Sequence, residues 1–221
     1  MKIDLNANIM EINDAFAAKN RDLFAEHGVL AINIMGSPGA GKTTMLERLL
    51  AELADKLNIA VIEGDLATAK DAERIASCGC SVIQINTDGG CHLDAKMINK
   101  VLPGFDLTKT DLLIIENVGN LVCPAGFDLG EDIRLVVLSI TEGDDKPAKY
   151  PNTFLAADWV VLNKMDLLDF TDFNVEKAFS DMHRINPRIS SFPVCCRKGS
   201  VSGVDTLAHA MLLTAKQKAG K

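Results

Sequence analysis

The sequence predicts an α/β fold in which a predominantly parallel sheet is covered by helices on both faces. Short apolar segments of strand type alternate along the chain with amphipathic segments, which is the pattern of successive β-α-β units. The first apolar segment runs directly into a glycine-rich motif. The chain has 221 residues, of which 48% are hydrophobic and 24% charged, so we expect one domain over residues 1–221.

The individual strands and helices are predicted from the spacing of apolar residues along the chain, which differs between the two kinds of element. Strands are predicted where short apolar runs are bounded by polar or turn-forming residues, at Val29–Met35, Ile59–Glu63, Ser81–Ile85, Asp111–Glu116, Leu135–Ile140, Trp159–Leu162 and Ile189–Val194. Helices are predicted at Thr43–Lys56, Ala67–Ser77, His92–Val101, Pro151–Ala156, Val175–Ile185 and Gly203–Lys216. An additional N-terminal helix over about Ile9–His27 precedes the first strand, and we expect it to lie outside the nucleotide-binding core.

Charge and apolar run length argue against two classes of partner. The net charge of −7 does not suit a nucleic-acid surface, which requires clustered Lys and Arg. No apolar run approaches the roughly 20 residues of a membrane helix, and the first residues lack the apolar region of a signal peptide. We therefore expect a cytoplasmic protein whose six cysteines are thiols or metal ligands rather than disulfides.

The segment after the first strand, Gly36-Ser-Pro-Gly-Ala-Gly-Lys-Thr43, matches the phosphate-loop pattern G-x-x-x-x-G-K-[ST] at every specified position. Glycines allow backbone N–H groups to close around phosphate, and a lysine neutralises the β- and γ-oxygens. The threonine hydroxyl suits Mg²⁺, and the following helix points its positive end at the phosphates. A P-loop NTPase is therefore predicted, with nucleotide contacts from Gly36, Ser37, Gly39, Ala40, Gly41, Lys42, Thr43 and Thr44.

A second motif indicates which base is bound. The strand Trp159–Leu162 runs into Asn163-Lys-Met-Asp166, the N-K-x-D pattern. A carboxylate at Asp166 can accept from both the N1–H and the amino group of guanine, whereas adenine has no such donor pair on that edge. GTP is therefore expected rather than ATP, with Asn163, Lys164 and Asp166 at the base.

Acidic residues at two further strand ends are candidates for the metal and for the attacking water. Glu116 ends one strand and is followed by Asn117-Val-Gly119, while Asp65 follows another. Such acids hold Mg²⁺ directly or through water, and a glycine N–H can sense the γ-phosphate. We expect Mg²⁺ on Thr43, Asp65 and Glu116, and catalysis by Lys42, Asp65 and Glu116, without ranking the two acids.

Cys91, His92 and Cys123 are candidate ligands for a second metal. Thiolate and imidazole are preferred ligands of Zn²⁺ and Ni²⁺, yet cysteine is also commonly a small buried hydrophobe, so the residues alone leave both interpretations open. Three ligands are too few for a closed site, whereas two chains about a twofold axis would offer six. Cys78 and Cys80 lie between a helix and a strand, where a structural role is favoured.

These motifs resemble the HypB family of hydrogenase nickel-incorporation GTPases. The similarity extends over nearly the whole chain and includes Ser37–Thr44, Glu63–Asp65, Asp71–Ile75, Gln84–Thr87, Cys91–Asp94, Glu116–Pro124 and Glu142–Pro147. It implies a SIMIBI-class P-loop GTPase that works as a nucleotide-dependent homodimer and delivers nickel to the [NiFe]-hydrogenase large-subunit precursor with the accessory protein HypA. Cys91, His92 and Cys123 align with the Ni²⁺ or Zn²⁺ ligands of that family.

The sequence departs from the family pattern in two places. Residues 1–30 contain no cysteine and only His27, so we expect no high-capacity nickel store there. At Val194-Cys-Cys-Arg-Lys-Gly199, where GTPases usually place a small turn against guanine, Cys195 or Cys196 is expected to fill that role, and we assign it to Cys196.

Because Glu116 and Cys123 share one segment, we expect nucleotide state and metal geometry to be linked. In this hypothesis GTP draws two chains together and builds the shared metal site, and hydrolysis releases the ion. One alternative is a urease or cobalamin-enzyme maturation GTPase. Another is a metal-buffering protein that binds GTP only as a structural ligand.

Overall fold

The computed structural model describes residues 5–65 and 70–220. Its centre is a seven-stranded sheet in the order β3-β2-β4-β1-β5-β6-β7, and every neighbouring pair is parallel. The strands are β1 Leu30–Gly36, β2 Ile59–Asp65, β3 Ser81–Asn86, β4 Leu112–Glu116, β5 Ile133–Ser139, β6 Trp159–Asn163 and β7 Ser190–Pro193. The predicted parallel α/β fold is thus confirmed, and each strand forms where the apolar runs placed it.

The helices are α1 Leu5–His27, α2 Lys42–Leu53, α3 Lys70–Ala76, α4 Ala95–Val101, α5 Lys146–Lys149, α6 Pro151–Leu155, α7 Val175–Ile185 and α8 Val204–Lys218. The short helix α5 was not predicted. Residues 67–69, where we placed the start of the third helix, lie outside the described residues. Within the described part of the chain, no helix combines the length and apolar character needed to cross a membrane.

The predicted start of a helix at His92 is wrong. Helix α4 begins at Ala95, because Asp94 adopts an extended conformation and its carboxylate accepts a hydrogen bond from the backbone N–H of Met97 at 2.7 Å. This is the usual N-cap arrangement, which satisfies one of the free N–H groups of the first turn. His92 therefore lies in the preceding loop beside Cys91.

Apolar side chains fill both faces of the sheet. On one face, α2 and α8 pack against β1 and β5 through a large buried cluster that includes Leu46, Leu49 and Met211. On the other face, α1 and α4 cover β1, β2 and β4 through residues such as Phe24 and Ile98. Helices α6 and α7 cover β5 and β6 on that same side.

This topology places the candidate site at one edge of the sheet. All strands are parallel, so their carboxyl ends meet at a common edge, and ligands of such sheets bind outside it. Glu63 of β2 and Glu116 of β4 are register partners, and β1 between β4 and β5 ends in the phosphate loop. Residues distant in sequence therefore meet here.

Candidate functional site

The phosphate loop connects β1 to α2 in a conformation that requires glycine. Gly39 and Gly41 have φ of 76° and 94°, in the left-handed region that other residues rarely adopt. A Cβ at Gly41 would lie 2.5 Å from Nδ2 of Asn163. The motif glycines thus permit both the backbone turn and the close approach of the second motif.

Lys42 is the first residue of α2 and is 8% exposed. Its ammonium group donates to the carbonyl of Gly36 at 3.2 Å, so the side chain lies back along the loop. Burial lowers the pKa of Lys42, and the nearby Glu116 carboxylate opposes that change. The geometry is that of a cation held over a loop whose backbone N–H groups bind phosphate.

The two nucleotide motifs are joined directly by hydrogen bonds. Nδ2 of Asn163 donates to the carbonyl of Ala40 at 2.8 Å, and Nζ of Lys164 donates to the carbonyl of Gly39 at 2.7 Å. Lys164 has a left-handed backbone with φ of 62°, which orients its side chain over the phosphate loop. The base motif and the phosphate loop therefore form one continuous surface.

Asp166 is positioned by the loop after β7. The Cys195 thiol donates to its carboxylate at 3.3 Å, and Arg197 lies 3.8 Å from its other oxygen. Cys195 is itself fixed by two backbone hydrogen bonds with Ser202, each 3.0 Å long. The Cys196 side chain packs into the apolar cluster under α2 and α8 instead, so a guanine contact by Cys196 would use its backbone.

Thr43 and Glu116 meet at the phosphate end of the site. The Thr43 hydroxyl donates to Oε1 of Glu116 at 2.7 Å, and the other carboxylate oxygen, Oε2, is buried without a hydrogen-bond partner. Burial raises the pKa of Glu116 to about 7, although Lys42 and the Thr43 hydrogen bond act in the opposite direction. An orphaned carboxylate oxygen beside a threonine hydroxyl is a donor set that suits Mg²⁺.

Glu63 is a site residue that the sequence reasoning missed. It is 3% exposed, it lines the same cleft, and its Oε2 is also buried without a partner. Burial, followed by the proximity of Glu116, raises the pKa of Glu63 to about 8. An acid at an apolar strand end was visible in the sequence, but the register that aligns it with Glu116 was not.

The cleft formed by these residues has a volume of about 550 Å³ and also contains Asp65, Gly119 and Arg74. Asp65 ends β2, so it lies at the edge where the predicted magnesium ligands meet. A Cβ at Gly119 would approach atoms of Pro38 in the phosphate loop at 3.2–3.4 Å. Gly119 therefore brings the chain after β4 against the phosphate loop, as a γ-phosphate sensor would require.

The candidate metal ligands lie on two loops, here called the first arm (residues 87–95) and the second arm (residues 117–130). The Cys123 thiol adjoins the Cys91 thiol, and hydrogen bonding from this neighbour raises the pKa of Cys91. Cys91 is exposed and Cys123 is half-buried. Two cysteines far apart in the sequence are thus brought together at the surface.

His92 lies beside this pair, with Nδ1 3.5 Å from the Cys91 sulfur. Its ring stacks on Phe127 of the second arm with a centroid separation of 3.9 Å. Burial lowers the pKa of His92, which favours the neutral imidazole that metals bind. Within residues 5–65 and 70–220, no three His, Cys, Asp or Glu side chains already form a metal-binding group.

Side-chain amides connect the arms to the nucleotide site. Oδ1 of Asn117 accepts from the backbone N–H of Leu93 at 3.0 Å, while its Nδ2 donates to Asn33 of β1 at 3.2 Å. Asn120 pairs with Gly36 of the phosphate loop in an isolated bridge, and its Oδ1 accepts from Cys123 N at 3.3 Å. The second arm thus begins in the lining of the nucleotide cleft, and the first arm is one hydrogen bond from it through Asn117.

Cys78 and Cys80 have ordinary local partners. Their thiols donate to the carbonyls of Arg74 and Ile75 at the end of α3, at 3.6 Å and 3.5 Å. Both side chains pack against the apolar cluster of α2 and α8. These contacts are those of the structural role that the sequence favoured.

Comparison with known proteins agrees with this geometry. The profile of the CobW/HypB/UreG nucleotide-binding domain matches residues 30–193. The chain is 50% identical over 197 residues to the hydrogenase maturation factor HypB of Rhizobium leguminosarum bv. viciae; the match covers 89% of this chain and 66% of the relative. The chain thus spans about two thirds of the length of that relative.

Two solved structures show the same fold. The crystal structure of HypB from Helicobacter pylori in complex with nickel is similar with a TM-score of 0.86 and 38% identity, covering 94% of this chain and 96% of that one. The LAO/AO transport system kinase, at 19% identity and a TM-score of 0.56 over 94% of this chain and 67% of its own, shares the fold alone. The chain belongs to the CobW/HypB/UreG family of nucleotide-binding domains, in its HypB branch.

Proposed function

We propose that this chain is a GTP-hydrolysing metallochaperone that delivers nickel during [NiFe]-hydrogenase maturation. The observation that carries the proposal is the path of one segment after β4. It begins at Glu116, which holds Thr43 of the phosphate loop, and it reaches Cys123, whose thiol contacts Cys91. The names of its relatives and the nickel complex of a structural neighbour support nickel as the cargo.

Guanine is the base that the N-K-x-D loop suits. Asn163 and Lys164 fasten this loop to the phosphate loop, so the Asp166 carboxylate is held at a fixed distance from the phosphates. A carboxylate there accepts from N1–H and the amino group of guanine together. Adenine has no such donor pair on that edge, so both hydrogen bonds to the carboxylate would be missing.

Hydrolysis is assigned to the cleft at the phosphate end. Thr43, Asp65 and Glu116 would hold Mg²⁺, and the buried unpartnered oxygens of Glu63 and Glu116 fit such a cation. When bound, Mg²⁺ neutralises charge on the β- and γ-phosphate oxygens. Lys42 and the backbone N–H groups of the loop bind the same oxygens, while Asp65 or Glu116 orients the attacking water.

Nickel would bind between the arms. The thiolates of Cys91 and Cys123 and the imidazole of His92 are donors that suit Ni²⁺, and Zn²⁺ also accepts this set. One chain offers three donors, which leaves a four-coordinate ion incomplete. A second copy related by a twofold axis would complete it, so we assign the closed site to a homodimer that forms on GTP binding.

The cycle follows from the segment shared by the two sites. GTP, through Gly119 and Glu116, orders residues 117–123 and closes the dimer; hydrolysis loosens this segment and releases nickel. The recipient is the hydrogenase large-subunit precursor, with HypA as the accessory partner. We assign all of these steps to the cytoplasm.

The nucleotide dependence of metal binding tests this cycle. We expect the non-hydrolysable GTP analogue, compared with GDP, to raise nickel affinity and to shift the molecular mass toward the dimer. Isothermal titration with nickel and light scattering in the two nucleotide states give both quantities. Identical values in the two states would refute the coupling.

Single substitutions distinguish the residues needed for GTP hydrolysis from those needed for nickel transfer. Lys42→Ala is expected to abolish hydrolysis, because the buried Lys42 ammonium group is the cation assigned to the β- and γ-phosphate oxygens. Cys91→Ala is expected to abolish nickel transfer while lowering hydrolysis far less than Lys42→Ala does. Cys78→Ala removes a thiol outside both sites and serves as the matched control. If hydrolysis is absent in the wild type while nickel binds, the metal-buffering function is correct instead.

A further inference from the structure

Helix α1 makes contacts that a helix outside the nucleotide core would not need. It packs against α4 and the second arm, and its backbone approaches Gly130 so closely that a Cβ there would lie 2.5 Å from the carbonyl of Ala17. Gly130 also has a φ of 89°. The helix therefore rests directly on the loop that carries Cys123.

Two buried asparagines of α1 hold both arms at once. Asn13 accepts from the backbone N–H of Ala95 at 3.0 Å through Oδ1 and donates to the carbonyl of Asp128 at 2.8 Å through Nδ2. One side chain thus bonds the end of the first arm with one atom and the second arm with the other. Asn13 is 4% exposed.

Asn20 repeats this bridge about two helical turns farther along α1. Its Nδ2 donates to the carbonyls of Ala95 and Leu129, both at 2.9 Å, while its Oδ1 accepts from Asn99 of α4 at 2.9 Å. The side chain is fully buried. Asn13 and Asn20 lie seven positions apart in the chain, so they fall on the same face of the helix.

We propose that Asn13 and Asn20 are positioning residues that clamp the two arms together and so hold Cys91 against Cys123. The backbone groups they satisfy belong to Ala95, the first residue of α4 at the end of the first arm, and to Asp128 and Leu129 of the second arm. Buried backbone groups must be paired, so one side chain that satisfies both segments fixes their separation. The amide side chain is suited to the task because it carries a donor and an acceptor together. The clamp would preorganise two thiol donors for a thiophilic divalent cation.

The clamping of the two arms by Asn13 and Asn20 does not depend on the proposed function, but the consequence of the clamp for nickel binding rests on that function. The test therefore uses one measurement that involves no metal. Diamide oxidises two neighbouring thiols to a disulfide, and its azo group takes up the two electrons and two protons released. The rate at which the Cys91–Cys123 disulfide forms, followed by peptide mass spectrometry, reports how often the arms meet.

The variants are made in the full chain. Asn20→Leu and Asn13→Leu keep the branch at Cγ but remove the bridging hydrogen bonds, and Asn13→Asp keeps the acceptor while removing the donor. Phe24→Leu is the matched control, because Phe24 is a fully buried apolar residue of α1 whose truncation loosens helix packing without touching the amides. Far-UV circular dichroism confirms folding, and if Asn20→Leu does not fold, Asn13→Ser decides in its place.

We expect disulfide formation to slow several-fold in the leucine variants, by less in Asn13→Asp, and not at all in Phe24→Leu. Nickel affinity, followed by thiolate-to-nickel charge-transfer absorption, should fall about tenfold or more in the leucine variants. Wild-type cross-linking rates in the folded asparagine variants would overturn the clamp, as would an equal slowing in Phe24→Leu. Slow cross-linking confined to the asparagine variants would support the clamp even if the wild type binds no nickel. Absence of nickel binding by the wild type would refute the proposed function and leave the clamp standing.

Discussion

The nucleotide end of the sheet and the metal arms differ in how their residues are held. At the nucleotide end the functional side chains lie at or just after strand ends. Asn163 and Lys164 already bond the phosphate loop, and Thr43 already bonds Glu116. The arms are loops whose positions depend on side-chain amides, from Asn117 of the second arm itself and from Asn13 of α1. A rigid edge suits constant nucleotide binding, whereas loops held by a few hydrogen bonds suit the release that the proposed cycle assigns to hydrolysis.

The largest expected effect is on guanine-nucleotide affinity, at the nucleotide end of the sheet. Asp166→Asn should weaken GTP binding on the order of 10²-fold, because two hydrogen bonds to a charged acceptor are lost. Xanthosine triphosphate, which carries an oxygen in place of the amino group, should bind this variant better than GTP. Calorimetric titration with both nucleotides measures this, and Asp169→Asn is the control. If GTP remains preferred, Asp166 does not read the base.

The next effect concerns the link between the two regions. Asn117→Ala removes the acceptor of Leu93 N, so the nucleotide should lose its hold on the first arm. We expect the ratio of nickel affinities with GTP analogue and GDP to fall about tenfold, within the usual range of coupling energies, alongside a loss of stability of about 1–3 kcal/mol. Asn58→Ala, at the opposite edge, is the control. An unchanged ratio would place the coupling elsewhere.

A third prediction tests the buried carboxylates through pH. The raised pKa of Glu63, about 8 against a usual value of 4.5, means that the folded state keeps a proton that the unfolded state releases. This contribution to stability is complete below pH 4.5 and is lost as the pH rises toward 8. Without nucleotide and magnesium, the melting temperature should therefore fall by a few degrees over that interval.

Glu63→Gln isolates this effect, because glutamine stays neutral at every pH in the series. Its melting temperature should depend on pH less steeply than that of the wild type. The exposed Glu52→Gln should retain the wild-type dependence. Parallel curves for Glu63→Gln and wild type in differential scanning calorimetry would contradict a buried, protonated Glu63.

The smallest expected effect is at the stacked pair in the arms. Phe127→Leu removes the ring that orients His92, and aromatic pairs contribute about 0.5–1.5 kcal/mol. Nickel affinity should therefore fall about two- to tenfold, as measured by competition with a chelator. A rise in affinity would mean that the stack holds the imidazole away from the metal. Phe170→Leu, an exposed phenylalanine outside the arms, is the control.

Several features could be predicted because they depend on local sequence. The strands follow apolar runs, and the phosphate loop needs glycines at fixed spacing, so Gly36–Thr43 and Asn163–Asp166 identified the nucleotide site. The helix boundary at His92 was missed because Asp94 competes as an N-cap, a preference that hydrophobic periodicity does not report. Glu63 was missed because its importance comes from strand register.

What the sequence determined by itself was the chemistry available: a P-loop, a guanine motif, acids at strand ends and a few thiols and imidazoles. The tertiary structure decided which of these meet. Strand order brought Glu63 beside Glu116, a turn placed Cys195 rather than Cys196 against Asp166, and α1 joined two loops that are far apart in the chain. Contacts of this kind arise from packing and hydrogen bonding between distant segments, which no local pattern of residues encodes.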